Sequence, residues 1–260
     1  MKNIIIYIIF QFFLTNCFAD CSDRGMRFLP IKKEISLNSI FIIEGYLNSQ
    51  ITIKSFKNRN VYLRSNNEIL ITLNLIEILE SRDVSQAIFK ANQVLLPNTK
   101  YELFIPNLTT IEKREMSEYN SLSKKHEPIY WQTTNLIEQN GLDSNLKIIY
   151  NRNEVKSYGC GNSVKSIFDV YCDDKSEIFF KTELIDITTG EKTIMYLTKE
   201  EDGKIYVGKD MCSGPFIYKD KHKYKVRFLP TNADGKTLEK TLWFEFKSPY
   251  DTEDYFMKRK

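Results

Sequence analysis

Short apolar runs with a period of two recur along the whole chain. "SIFIIEGYL" (39–47), "QITIKSF" (50–56), "VYLRS" (61–65) and "EILITLNLI" (68–76) follow one another closely, rich in Ile, Val, Tyr and Phe and parted by Asn, Ser, Lys or Arg. In "QITIKSF", Ile51, Ile53 and Ser55 share one face and Thr52 and Lys54 the other, the signature of a half-buried strand. In "LLPNTKYELFI", Pro97-Asn98 marks a turn into a strand carrying Tyr101, Leu103 and Ile105 on one face. Residues 109–127 are charged and polar and read as a long loop or a short surface helix. Strand character returns in "PIYWQTTN" (128–135), and "LIEQNGLDSN" (136–145), with Asn140-Gly141, reads as a linker.

The second half repeats the style. Seven strands are expected at 146–151, 163–172, 176–187, 192–198, 204–208, 223–230 and 240–249. Thr189-Gly190, Asp202-Gly203 and Asp234-Gly235 separate them, and Gly supplies the positive φ that tight turns require. In "KTLWFEFK", Leu242, Phe244 and Phe246 are expected in the core, with Trp243 and Glu245 on the opposite face. Seven short strands at regular spacing predict a β-sandwich.

"LLPNTKYELFI" resembles the stretch of bacterial immunoglobulin-like modules in which a Pro-Asn-Thr turn leads into a strand opened by tyrosine, here Tyr101. "YGCG", "DMCSGPF" and "NADGKTLEKTLWFEF" are similar to immunoglobulin-like or fibronectin-like modules of exported bacterial proteins. The Cys…Trp…Cys order of antibody domains is absent, because Trp243 follows every cysteine. The resemblance implies an all-β chain of two tandem immunoglobulin-like β-sandwich domains living outside the cytoplasm. It implies no one activity, since this fold carries many. The expected division is a signal peptide at 1–19, a first sandwich at 20–135, the linker at 136–145, a second sandwich at 146–249 and a tail at 250–260.

"MKNIIIYIIFQFFLTNCFA" (1–19) has a Lys2 start, an apolar core and Ala19 before Asp20, the layout of a secretory signal peptide. Its apolar run is shorter than the ~20 residues that span a bilayer. A lipoprotein anchor at Cys17 is the alternative, with Asn16 standing where a small residue is customary. The expected location is the periplasm, the cell surface or the medium, where thiols oxidise. Cleavage after Ala19 leaves Cys21, Cys160, Cys172 and Cys212, whose wide spacing favours two disulfides over a zinc site. If the strands alternate in direction, Cys160 and Cys212 lie at one end of the second sandwich. Cys172 lies a strand length away, roughly 30 Å for ten residues. Disulfides need Cα atoms within about 7 Å. The expected pairs are therefore Cys160–Cys212 and, by elimination, Cys21–Cys172.

Charge narrows the function. The chain has 37 Lys and Arg against 34 Asp and Glu, without the concentrated basic excess of nucleic-acid domains. The two histidines, His126 and His222, sit in charged contexts that suit a solvated surface better than a catalytic triad. "CDDKSE" (172–177) and "KEEDGK" (199–204) are the densest acidic runs. The first offers Asp173, Asp174 and Glu177 as oxygen donors but has no fixed calcium-loop signature. "KDKHKYKVR" (219–227) offers Lys219, Lys221, Lys223, Lys225 and Arg227 to an anionic group. Plain edge-strand lysines are the simpler account. The reading is an exported, non-enzymatic binding or adhesion protein without cofactor or metal, for a protein or glycan ligand, with no nucleic-acid partner and no transmembrane segment after signal cleavage. Its binding surface is expected at the loops of a sandwich end or in the cleft between domains. A structural module of an envelope or surface assembly is the alternative, and a carboxylate-based hydrolase ranks last.

Overall fold

The structure is a computed structural model and describes residues 21–137, 142–173 and 177–251. The expected signal peptide, part of the expected linker and most of the expected C-terminal tail lie outside the described residues. Those residues are all-β, with two short α-helices.

The N-terminal half forms one eight-stranded sheet from β1 (Arg24–Leu29), β2 (Glu34–Ile35), β3 (Ile40–Leu47), β4 (Val61–Ser65), β5 (Leu70–Glu80), β6 (Val84–Ala91), β7 (Lys100–Phe104) and β10 (Tyr130–Thr133). Its spatial order is β1-β3-β6-β5-β4-β7-β10-β2, antiparallel throughout except at the β10–β2 edge. Strands far apart in this order share one core. Phe41 of β3 meets Trp131 of β10 edge-on at 4.9 Å, so the sheet curls over its own apolar face. Tyr101 is fully buried and its hydroxyl accepts from the backbone N–H of Leu96 at 2.9 Å, the tie made by a tyrosine at a sandwich corner.

"QITIKSF" is not a strand. Gln50–Ser55 form a helix, α1, continued by a 3₁₀ turn at Phe56–Asn58. Ile53 and Phe56, three apart, bury in the core while Ile51 is 69 % exposed, which is helical spacing. So short a helix cannot stand alone and depends on packing. Gly45 provides the seat: a Cβ there would lie 2.6 Å from Ile53 Cγ1. Within 109–127 a short helix does occur, α2 (Thr110–Glu115), started by a capping box between Thr109 and Glu112. A hairpin of β8 (Ser117–Asn120) and β9 (Lys125–Pro128) follows it.

All seven expected strands are present in the C-terminal half. β11 (Lys147–Tyr158), β12 (Gly161–Tyr171) and β15 (Lys204–Lys209) make a three-stranded sheet. β14 (Lys192–Thr198), β13 (Ile178–Asp186), β16 (Lys223–Asn232) and β17 (Phe244–Lys247) make a four-stranded one, in that spatial order. Phe168 from the first sheet and Phe228 from the second meet at 5.0 Å between them. Phe244 and Phe246 pack on this core as expected, but Leu242 is 88 % exposed, because β17 begins two residues later.

Period-two alternation explains how the halves meet. On β3 and β6, Phe41, Ile43, Ala87 and Phe89 enter the N-terminal core. Their neighbours Ile40, Ile42 and Ile88 face the other way and pack with Phe179, Tyr196 and Ala233 of the C-terminal half. On β13 the alternation is reciprocal, with Ile178 and Phe180 turned into the sandwich core.

Candidate functional site

The same alternation that sends Ile42 and Ile88 to the interface sends Glu44, Tyr46 and Gln86 there too. Glu44 and Gln86 are register partners across β3 and β6. Both are buried. One Glu44 carboxylate oxygen accepts from Tyr46 Oη and the other from Gln86 Nε2. Burial pushes the Glu44 carboxyl above its ordinary range, opposed by those hydrogen bonds and by the Arg27 charge. Arg27 of β1 donates to Thr198 Oγ1 of β14 at 2.7 Å.

This interface opens into a cleft of about 580 Å³. Arg27, Glu44 and Tyr46 come from the N-terminal sheet. Tyr196 belongs to β14, and Glu200, Glu201 and Asp202 to the β14–β15 turn. Lys165 and Tyr206 come from β12 and β15, and the loop 210–215 closes the far side. Lys165 Nζ sits 5.0 Å from the centre of the Tyr206 ring and 2.5 Å from Asp210. Tyr206 Oη donates to Asp202 at 2.6 Å, a bond that raises its hydroxyl to about 12 and lowers the carboxyl. Burial, aided by Glu77, pushes Tyr196 to about 12. The walls thus combine tyrosine rings with charged side chains of both signs, many already cross-linked. Glu200, Glu201 and Asp202 of the acidic run and residues of the contiguous stretch 208–215, which overlaps "DMCSGPF", lie in this cleft; Arg27, Glu44, Tyr46, Lys165, Tyr196 and Tyr206 come from separate strands.

The other expected sites fare differently. Of Lys219, Lys221, Lys223, Lys225 and Arg227, three are already engaged within the chain. Lys219 pairs with Glu191 at 2.9 Å, Arg227 pairs with Glu183 at 2.7 Å, and Lys225 and Arg227 lie against the Trp243 ring. Glu177 is spent on the backbone N–H groups of Ile31 and Lys32, and Asp174 lies outside the described residues. His126 contacts Ser117 at 3.0 Å, and His222 bonds the buried Asp186 at 2.7 Å.

The cysteine pairing is corrected. Cys21 bonds Cys212, with Cα atoms 5.6 Å apart, in place of the expected Cys160–Cys212 and Cys21–Cys172 pairs. Cys160 does lie at the same end of the sandwich as Cys212: the sulfurs of Cys21, Cys160 and Cys212 are all within 4.8 Å of one another. What the strand-alternation argument lacked was the N-terminus. β1 runs along β3 beside the C-terminal half and delivers Cys21 to that end, while Cys172 follows the opposite end of β12.

These features define an all-β protein with an interface cleft. No protein-family model matches the chain, and no curated protein matches it. Similarity to solved structures is faint. A pullulanase from Anoxybacillus sp. LM18-11, complexed with maltotriose, is 10 % identical with a TM-score of 0.25, over 84 % of this chain and 25 % of the pullulanase. The Yersinia pseudotuberculosis adhesin InvE is 12 % identical with a TM-score of 0.22, over 87 % and 58 %. A DUF4785 family protein from Legionella pneumophila is 10 % identical with a TM-score of 0.23, over 89 % and 58 %. The chain therefore spans a quarter to somewhat over half of the length of these structures. Among the described residues no helix is long and apolar enough to cross a membrane.

Proposed function

We propose that this is an exported, non-enzymatic binding protein of two β-sandwich domains, whose ligand is an oligosaccharide held in the cleft between them. The reading is supported above all by the pairing of tyrosine rings with charged groups of both signs along the cleft. A sugar offers an apolar face to a ring and hydroxyls that both donate and accept, so such walls suit it. A net-charged ligand would meet like charge on one side. Catalysis by paired carboxylates needs an acid and a base that both reach the substrate. Glu44, whose carboxyl is raised, is only 4 % exposed and already accepts from two side chains, while Asp202 is held ionised by Tyr206 and Lys204. Export is supported by the leader-like sequence 1–19 and by the disulfide.

The test is a glycan array with the full mature chain, followed by calorimetric titration of the hits against Tyr206→Ala and Lys165→Ala. Both side chains are partly exposed on the cleft wall. Each variant should weaken binding about tenfold or more, the loss of a ring or charge contact worth ~1.4 kcal/mol, while remaining folded with a cooperative unfolding transition. Undiminished affinity in both variants, or an array without hits, would refute the cleft as a glycan site. Cleavage of a bound glycan would refute the non-enzymatic reading.

A further inference from the structure

Beside the Cys21–Cys212 bond lies a third sulfur. Cys160, at the turn between β11 and β12, has its Sγ within 4.8 Å of both bonded sulfurs and 3.2 Å from Met211 Sδ. All three cysteines are partly exposed. The backbone adds contacts of its own to this arrangement. Gly161, with φ of 150°, approaches the Met211 carbonyl so closely that a Cβ there would be 2.6 Å from the oxygen. Asp210 N–H donates to the Ser213 carbonyl at 3.0 Å, and Lys165 pairs with Asp210, fastening loop 210–215 to β12. The turn that carries Cys160 and the loop that carries Cys212 are therefore apposed by backbone packing.

A disulfide exchanges when a thiolate attacks one of its sulfurs and expels the other. Such encounters are usually limited by access and approach. Here both are supplied by the fold. We propose that Cys21, Cys160 and Cys212 form a thiol–disulfide exchange site, in which Cys160 attacks the Cys21–Cys212 bond. The Cys160 thiol loses its proton to solvent. Its sulfur bonds one of the two cysteines, the Cys21–Cys212 bond breaks, and the other cysteine leaves as a thiolate that takes a proton. One disulfide and one thiol enter and one of each leaves, so no oxidant or reductant is consumed. The reactive position moves among three sulfurs beside loop 210–215, which also borders the cleft. The site's external reactants are small thiols and disulfides, which meet whichever sulfur is free.

The experiment uses the full oxidised chain and needs no ligand, so its outcome is separate from that of the glycan reading. Protein is held at neutral pH for increasing times, quenched with acid to stop thiolate attack, alkylated, and mapped as unreduced peptides. The expected result is alkyl label on Cys21 or Cys212 together with a linked peptide that contains Cys160, both lost in Cys160→Ser. Label that never reaches Cys21 or Cys212 in the wild type would overturn the proposal. Label on those residues that persists in Cys160→Ser would overturn it as well, because another sulfur or incomplete oxidation would then be the source.

Discussion

The side-chain amide of Gln86 grips the backbone of Tyr196 from both sides, Nε2 donating to the carbonyl oxygen at 2.8 Å and Oε1 accepting from the N–H at 2.7 Å. β14, which carries Tyr196, is an edge strand of its sheet. Gln86 thus does for one residue what a neighbouring strand would do, and joins the two halves at a fully buried point.

Replacing Gln86 by Leu keeps the bulk but strands two backbone groups of Tyr196 and a Glu44 oxygen. A buried polar group left without a partner costs about 1–3 kcal/mol. We expect Gln86→Leu to destabilise the protein by about 2–4 kcal/mol, read as a lowered urea midpoint. A midpoint within error of wild type would mean that water enters and the interface is loose.

Glu44 gives a pH signature. Burial raises its carboxyl from the ordinary 4.5, so the folded state holds a proton that the unfolded state has released. This group's contribution to stability is greatest below the ordinary value, declines as pH rises toward the raised one, and is level above it. Glu44→Gln removes the titration. Over the weakly acidic range above 4.5, the stability of wild type relative to Glu44→Gln should therefore fall as pH rises. A difference that stays flat with pH would show that Glu44 titrates alike in both states.

The strands of the C-terminal half were legible because local chemistry sets them. Gly190, Gly203 and Gly235 all take φ near 80° in the turns where the sequence placed them. "QITIKSF" was illegible because β-branched residues in a six-residue window fit either period, and only the seat above Gly45 decides. The cleft was half legible. The acidic run at 199–204 was visible, but Glu44, Gln86 and Lys165 meet only through the curl of one sheet against another. The cysteines show the same limit. Strand alternation placed Cys160 beside Cys212, and an N-terminal strand that pairs with β3 brought in the actual partner.

Asp186 behaves opposite to Glu44. Burial pushes its carboxyl up, but bonds from His222, Thr189 and Thr188 outweigh that and hold it below its ordinary range. Its stabilisation is full above the unfolded-state value and fades as pH falls through the lowered one. Asp186→Asn should cost about 1.5–3 kcal/mol at pH 7, typical of a hydrogen bond to a charged group, and the deficit should shrink below the ordinary carboxylate range. An equal deficit at pH 7 and pH 3 would assign the loss to the turn geometry alone.

The Cys21–Cys212 bond spans 191 residues, most of the described chain. By loop entropy a cross-link of that length disfavours the unfolded state by about 5 kcal/mol. It also pins one end of β1, an edge strand hydrogen-bonded on one side only, to β3. Beyond that ladder β1 is held by Arg24 to Glu115 at 3.2 Å and Arg27 to Thr198 at 2.7 Å. Replacing Cys21 and Cys212 together by Ser should therefore act at two levels. Global stability should drop by up to about 5 kcal/mol, with a larger urea m-value, because an uncrosslinked unfolded chain exposes more surface. Amide exchange should quicken at Arg24–Leu29 before it does in β3, since the edge strand loses its tether while its neighbour keeps β6. If exchange in β1 and the m-value both match wild type, the bond carries neither role.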